Sequence, residues 1–257
     1  MGNELHRAAL SESQLRAELS TYWRVRVVDV TGSTQNDLAE SIRKRSAIDG
    51  DVLFANYQSA GKGRFDREFI AAPSSALLFS FYKEVQRNRQ EWNFLALLTA
   101  LCVKEAIQFF NNELEVTVKW PNDILIKEKK VAGLLCQATD LGVIVGVGMN
   151  VAMQANELPV ESATSFFLED LSELDRNQIA IKILQVFEQK FSLWNLKGSA
   201  PFVSEYELAC SSLHRLIQIT LPNREPIEST ATGITPLGEL ILHDGSLINS
   251  ADIIHLR

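Results

Sequence analysis

Residues 114–151, "LEVTVKWPNDILIKEKKVAGLLCQATDLGVIVGVGMNV", decide the fold class. The segments LEVTVKW, DILIKE, KKVAGLLCQA and GVIVGVGMNV carry the pattern of strands. Pro-Asn, a Lys-Glu-Lys-Lys hairpin and Asp-Leu-Gly join them, and links this short predict antiparallel neighbours. Within the last segment, "GVGMN" (146–150) puts glycines inside a strand. That weakens the strand unless something must approach its face closely.

Working outward, residues 10–20 read as a short helix. Ser11 and Gln14 have capping-box spacing, and Leu15 and Leu19 lie one turn apart. Strands are predicted at 24–30, 52–57 and 75–82. After the first of these, Thr34 is the predicted N-cap of a helix, with Asp37 three residues on and Leu38 and Ile42 on its buried side. Residues 92–110 repeat apolar side chains at helical spacing from Trp92 to Phe110. Two more helices are predicted around 176–196 and 200–210. After about residue 212 only short strands and turns remain, which reads as a small β-barrel. The expected architecture is mixed α/β of the α+β kind. Residues 1–211 would hold a mixed, largely antiparallel sheet with flanking helices, and residues 212–257 a small C-terminal barrel.

A chain of 257 residues with 46% hydrophobic and 22% charged residues suits one large domain, with or without an appendage. A net charge of −7 argues against nucleic acid as the main partner. Cys102, Cys136 and Cys210 fit no disulfide framework or zinc pattern and are expected as buried free thiols. The four histidines form no metal-ligand cluster in sequence. No apolar run is read as membrane-spanning and no signal peptide is recognised, so a cytoplasmic protein with no membrane partner is expected.

Against this acidic background stands one basic loop, "YQSAGKGRFDREF" (57–69). Gly61 and Gly63 allow close backbone approach, while Lys62, Arg64 and Arg67 offer donors to phosphate or carboxylate oxygens. The lysine lies between the glycines with no Ser or Thr after it, so this is not a Walker A loop. By itself the loop reads first as a solvated turn. Taken alone, Asn122 and Asp123 read first as turn residues, Lys130 as a hairpin charge, and "GSTQND" (32–37) as a helix cap, a role compatible with ligand binding.

Taken together and in order, GSTQND, YQSAGKGRFDR, KWPNDILI, KKVAGLL and GVGMNV resemble the biotin protein ligases, the biotin–[acetyl-CoA-carboxylase] ligases, over roughly residues 24–257. The family's loop reads Gly-Arg-Gly-Arg-x-x-Arg, often with glycine before the last arginine. Here Lys62 and Asp66 stand at the first arginine and at that glycine. Lysine lacks arginine's planar fork, and Asp66 is expected to face solvent or pair with a neighbouring arginine.

The resemblance implies a two-step ligase with an SH3-like C-terminal barrel. Biotin's carboxylate attacks the α-phosphate of ATP to give biotinyl-5′-AMP, and a lysine of a biotin carboxyl carrier protein then takes the biotinyl group. Arg64 and Lys130 would be catalytic. Ser33, Thr34, Gln35, Gln58, Lys62, Gly63, Arg64, Lys130 and Gly133 would bind biotin. Gly61, Arg64, Arg67, Phe69, Asn122, Asp123 and Asn150 would bind ATP, and Asp123 would also help deprotonate the acceptor lysine. Mg2+ would be held by ATP phosphates and water, with no protein ligand. With about twenty residues before the first strand, too few for a winged helix, the ligase-only form is implied: no DNA partner, and a monomer or weak homodimer. Two alternatives stay open, a lipoate or octanoate ligase of the same superfamily and a non-catalytic biotin-binding protein.

Overall fold

The structure is a computed structural model that describes residues 7–65, 67–171, 175–221 and 224–256. Asp66 lies outside them, so the expectation for its side chain does.

The first sheet contains β1 (Arg24–Thr31), β2 (Asp51–Gln58), β3 (Ala76–Glu84), β4 (Val116–Lys119), β5 (Asp123–Ile126), β6 (Lys129–Ala138) and β7 (Gly142–Asn150). These seven strands run in the order β1-β2-β3-β7-β6-β5-β4. Only β1 and β2 are parallel, and every other neighbouring pair is antiparallel. The sheet is therefore mixed and largely antiparallel, as the short connections require. The β5–β6 hairpin turns on Lys127 and Glu128 at φ 47° and 66°. Two successive left-handed residues match the twist of paired strands, although neither is the glycine or asparagine that usually marks such a turn.

Helix α1 (Glu12–Glu18) starts at Ser11, whose side chain accepts from the Gln14 N–H. The reciprocal half of the capping box is not made. The Gln14 side chain donates to Glu18, and the Ser11 N–H donates to Asn177 instead. This helix also guards the open edge of β1: Val27 N–H donates to Glu12 Oε2 (2.9 Å), and Arg16 donates to the Val25 carbonyl (2.8 Å). A sheet edge with its backbone groups occupied is a poor template for another strand.

Helix α2 (Thr34–Arg43) has Ser33, not Thr34, at its N-cap, and no side chain of its own caps it. The Thr34 N–H is satisfied from outside, by Gln58 Oε1 at 2.7 Å. Leu38 packs with Leu53, Tyr82 and Ile144 on one face of the sheet. The opposite face presents Phe54, Phe79 and Phe81 to α3 (Phe94–Phe110) and α4 (Arg176–Lys197), with Phe81 edge-on to Phe187 at 4.6 Å. Trp92 belongs to a 3-10 turn, Arg89–Asn93, ahead of α3. That turn is set by the Asn88 side chain accepting from Gln90 N–H and by the Trp92 indole donating to the Arg87 carbonyl.

Arg89–Phe110 is, contrary to the reading of the sequence, long and apolar enough to cross a membrane, with a mean hydropathy of 1.4. In the fold it is mostly buried between the sheet and the other helices, which accounts for a helix apolar nearly all round. Cys136 also departs from expectation. It is a free thiol, as are Cys102 and Cys210, but only partly buried.

Helix α5 (Ala200–Ala209) leads into a second sheet of β8 (Leu216–Thr220), β9 (Ile227–Ile234), β10 (Leu240–Leu242), β11 (Leu247–Ile248) and β12 (Asp252–His255). Its five antiparallel strands follow the order β11-β10-β9-β8-β12, where the sequence predicted a small barrel. Ile217, Ile219 and Ala231 belong to the same apolar cluster as Trp120 and Tyr206, and the Trp120 indole donates to the Gly238 carbonyl (3.0 Å).

Candidate active site

The α2 side of the sheet holds a cavity of about 450 Å3 that opens between α2, the 61–69 loop, the β4–β6 hairpins and the β11–β12 corner. Two polar networks line it.

The first is neutral. Gln58 Oε1 accepts from both the Thr34 N–H and the Thr34 hydroxyl (2.7 and 2.9 Å). The Ser80 hydroxyl lies 2.8 Å from Thr34 Oγ1 and 3.2 Å from Gln35 Oε1, its one proton shared between these two acceptors. Ser33, Thr34 and Gln35 are nearly fully buried, so their positions are fixed by packing. Glycines in β7 make the space. A Cβ on Gly146 would sit 2.7 Å from Gln35 Oε1, and one on Gly148 would sit 2.8 Å from the Phe69 ring. The glycine pattern of this strand thus serves the close approach of Gln35 and Phe69 to the sheet face.

The second network is cationic. The loop closes as its own small hairpin, with a bridge between Lys62 and Glu68, Gly63 N–H to the Arg67 carbonyl at 2.7 Å, and Phe69 N–H to the Gly61 carbonyl at 2.9 Å. A Cβ on Gly61 would clash with the backbone carbonyl oxygen of Phe69 across this hairpin. Arg64 donates to Asn122 Oδ1 (3.2 Å), the Ala251 carbonyl (3.2 Å) and Ser250 Oγ (2.6 Å), and Arg67 pairs with Asp252. Burial pushes the Arg64 pKa down, opposed by Asp252 and Asp123. Asn122 is itself anchored, donating to the Leu134 carbonyl (2.7 Å) just after the cis Trp120–Pro121 bond.

Lys130 reaches the cavity through a backbone irregularity. Leu125 pairs with Lys130 and Ile124 with Ala132, so Val131 is an unpaired bulge residue. Val131 and Ala132 both enter the core, whereas Lys130 and Gly133 line the cavity. The Lys130 backbone is held from outside the sheet as well, its N–H by the Ser162 carbonyl and its carbonyl by the Thr164 N–H, both at 2.8 Å. Its ammonium lies 2.6 Å from Asp123 Oδ1. A Cβ on Gly133 would stand 3.1 Å from the Lys130 nitrogen.

Of the residues singled out from sequence, Ser33, Thr34, Gln35, Gln58, Lys62, Gly63, Arg64, Arg67, Phe69, Asn122, Asp123, Lys130 and Gly133 all line this cavity. Gly61 sits behind them at the hairpin base. Asn150 is not among the lining residues, and its buried amide donates to the Thr164 carbonyl (2.9 Å). The lining also includes Glu68, Ser80, Lys119, Thr220 and Asp252, which the sequence reading did not single out, and Ser250 adds a contact to Arg64. Lys119 lines the cavity beside Asp123, its partner across β4–β5. Burial lowers its pKa, Lys130 adds to that, and Asp123 opposes it. Its signal was its place at the head of KWPNDILI. Ser80, Ser250 and Asp252 carried no local signal. Among the described residues, no group of three or more His, Cys, Asp or Glu side chains is arranged to hold a metal ion.

A neutral hydrogen-bonding network beside a cluster of Lys62, Arg64, Lys119 and Lys130 can take a ligand with a polar uncharged head and an anionic end. Comparison with known proteins agrees with that chemistry. The profile described as the biotin/lipoate A/B protein ligase family matches residues 27–152. The biotin--[acetyl-CoA-carboxylase] ligase of Mycobacterium tuberculosis is 30% identical over 261 residues, covering 98% of this chain and 97% of that protein. The bifunctional ligase/repressor BirA of Escherichia coli is 27% identical, over 87% of this chain and 70% of its own length. Among solved structures, the biotin protein ligase from Aquifex aeolicus in complex with biotin and ATP superimposes with a TM-score of 0.78 at 26% identity, covering 91% of this chain and 99% of that one.

Proposed function

The chain belongs to the biotin protein ligases of the biotin/lipoate A/B protein ligase family, and from that premise we propose how its cavity performs the ligation. The enzyme attaches biotin to a lysine of a biotin carboxyl carrier protein, spending ATP and passing through biotinyl-5′-AMP. We assign the carrier to acetyl-CoA carboxylase and the reaction to the cytoplasm, where ATP is supplied. The carrying observation is that one cavity joins the Thr34–Gln58–Ser80–Gln35 network to the Lys62, Arg64, Lys119 and Lys130 cluster.

In this reading Ser33, Thr34, Gln35 and Gln58 hold the neutral ureido head of biotin. Its carboxylate then extends toward the cations. The first step brings a carboxylate up to a phosphate, two anions whose repulsion must be offset by fixed positive charge. Lys62 and Arg64 face the carboxyl and α-phosphate oxygens, with Gly63 leaving room between them for close approach. Lys130 lies beside the new acyl-phosphate and stabilises the charge that grows on it. Lys119, whose pKa burial lowers, has its positive charge stabilised by any phosphate placed near it. Asn122, Asp123 and Phe69 take the nucleotide side, with Phe69 over the sheet at Gly148 as the adenine cover. Asp123, paired with Lys130 before substrates bind, is the group to receive the acceptor lysine's proton once phosphate competes for that ammonium. Asp123 and Asp252 already face cations, so Mg2+ accompanying ATP would rest on phosphate oxygens and water rather than on these carboxylates, and would neutralise phosphate charge.

The test is ATP–pyrophosphate exchange with biotin, lipoate and octanoate in parallel. Exchange with biotin alone, followed by transfer to a carrier lysine, is the expected result. Exchange with lipoate or octanoate instead would overturn the substrate assignment. Biotin binding with no exchange would make the protein a non-catalytic binder.

A further inference from the structure

The two loop arginines are held from the far end of the chain, and they are held differently. Arg64 donates to Ser250 Oγ (2.6 Å), the Ala251 carbonyl (3.2 Å) and Asn122 Oδ1 (3.2 Å), all neutral acceptors. Arg67 meets a carboxylate, that of Asp252, while its Nε donates to the Arg64 carbonyl (3.3 Å). Ser250, Ala251 and Asp252 form the corner between β11 and β12. Neutral acceptors orient the Arg64 guanidinium, and the Asp252 and Asp123 carboxylates act on its charge only through space, without a direct ion pair. A contacting carboxylate cancels most of the charge it meets.

Resting on the ligase reading above, we propose that Ser250 and Asp252 are positioning residues for adenylation. Their corner of the second sheet fastens the 61–69 loop before nucleotide arrives, with Arg67 as the fastener and Arg64 as the cation presented to phosphate. The physical need is clear in the loop itself. Lys62, Arg64 and Arg67 crowd three cations into one short hairpin, with Asp66 and Glu68 in the same stretch offsetting part of that charge, and a loop left to spread must be ordered again each time ATP binds. Fixing it beforehand removes that ordering cost from the binding step. The corner supplies the only carboxylate paired with a loop arginine among the described residues, and the adjoining hydroxyl and carbonyl aim Arg64 at the cavity it lines.

The experiment compares wild type with Asp252→Asn, Asp252→Glu, Asp252→Lys and the double variant Ser250→Ala/Asp252→Asn. Two readouts are taken on the full chain: trypsin cleavage after Lys62, Arg64 or Arg67 without ligand, and KM for ATP and kcat in biotin-dependent exchange. In the double variant, loop cleavage and the KM for ATP should each rise about three- to tenfold, the sum expected of one exposed ion pair and one hydrogen bond. The kcat and the KM for biotin should stay within about twofold. Asp252→Glu should be close to wild type, and Asp252→Lys worse than Asp252→Asn because it repels Arg67. Asp252 is partly exposed, so melting temperatures should barely move. Wild-type cleavage and wild-type KM for ATP in the double variant would overturn the proposal, as would an Asp252→Glu enzyme as impaired as Asp252→Asn. Absence of exchange in wild type would overturn the ligase reading, while the trypsin comparison would still report on the fastening.

Discussion

Lys130 shows how a single residue's meaning depends on its backbone. In sequence it is one of two adjacent lysines at a hairpin. In the fold its N–H and carbonyl are both engaged by the 162–164 segment, and its ammonium pairs with Asp123 at 2.6 Å within the cavity lining. Lys130→Ala should lower kcat for pyrophosphate release about 10²-fold, or roughly 3 kcal/mol, with a smaller change in biotin affinity. Lys129, exposed on the outside of the hairpin, should change stability by less than about 0.5 kcal/mol when replaced by Ala. A larger loss in Lys129→Ala would reverse the assignment of faces. His255 makes a second prediction at this scale. It shares a hydrogen bond of 3.0 Å with Ser212 and accepts from Arg215 (2.9 Å). Burial, then Lys119 and Arg215, hold its pKa down at about 4 against an ordinary 6.5, with Glu128 opposing. Between those values the unfolded chain takes up a proton that the folded one refuses. The stabilisation is therefore complete above pH 6.5 and is lost as pH falls toward about 4. Discounted for solvent screening at a half-buried site, the loss is about 1 kcal/mol. Melting temperature across that window should fall more gently in His255→Gln than in wild type, and parallel curves would remove His255 as the cause.

At the scale of elements, strand β7 carries the sharpest test. Gly146 and Gly148 both keep the sheet face open, one for Gln35 and one for Phe69. Gly146→Ala would put a methyl against Gln35 Oε1 at 2.7 Å and Ser80 Oγ at 3.3 Å, breaking the neutral network while leaving the cations in place. KM for biotin should rise about tenfold, the equivalent of one hydrogen bond of ~1.4 kcal/mol, with KM for ATP unchanged. Equal effects on both substrates would mean that the neutral and cationic networks are not separate binding regions. The element pattern also explains which expectations held. The antiparallel run β4–β7 was legible because its links are too short for anything else. The bulge at Val131 was not, since a bulge is defined by the partner strand and leaves no mark on its own sequence.

For the whole molecule, the question is whether the two sheets unfold together. Ile217 and Ile219 of β8 belong to one apolar cluster with Trp120, Tyr206 and the core of the first sheet, and Glu207 of α5 accepts from the Ile234 N–H of β9 (3.0 Å). Ile219→Ala, at a fully buried position, should cost about 2–5 kcal/mol and lower the melting temperature of the entire chain. Far-UV circular dichroism and tryptophan fluorescence should shift together, because Trp23, Trp92, Trp120 and Trp194 all lie outside the second sheet. Two separated transitions would show residues 212–257 to be an independent unit.

The sequence by itself determined the strand meander, the helix positions, the small all-β terminal region and most of the cavity's lining. These depend on local periodicity, on turn chemistry, and on motifs whose order along the chain is specific even where each is ambiguous alone. The tertiary structure decided what depends on groups distant in sequence. It made Ser33 rather than Thr34 the N-cap, with Gln58 as the external acceptor. It turned the Asn150 amide to Thr164 and off the cavity lining. It brought Ser250 and Asp252 onto Arg64 and Arg67. In each case a buried or charged polar group takes the partner that folding brings within reach, and a local window of sequence does not contain that partner.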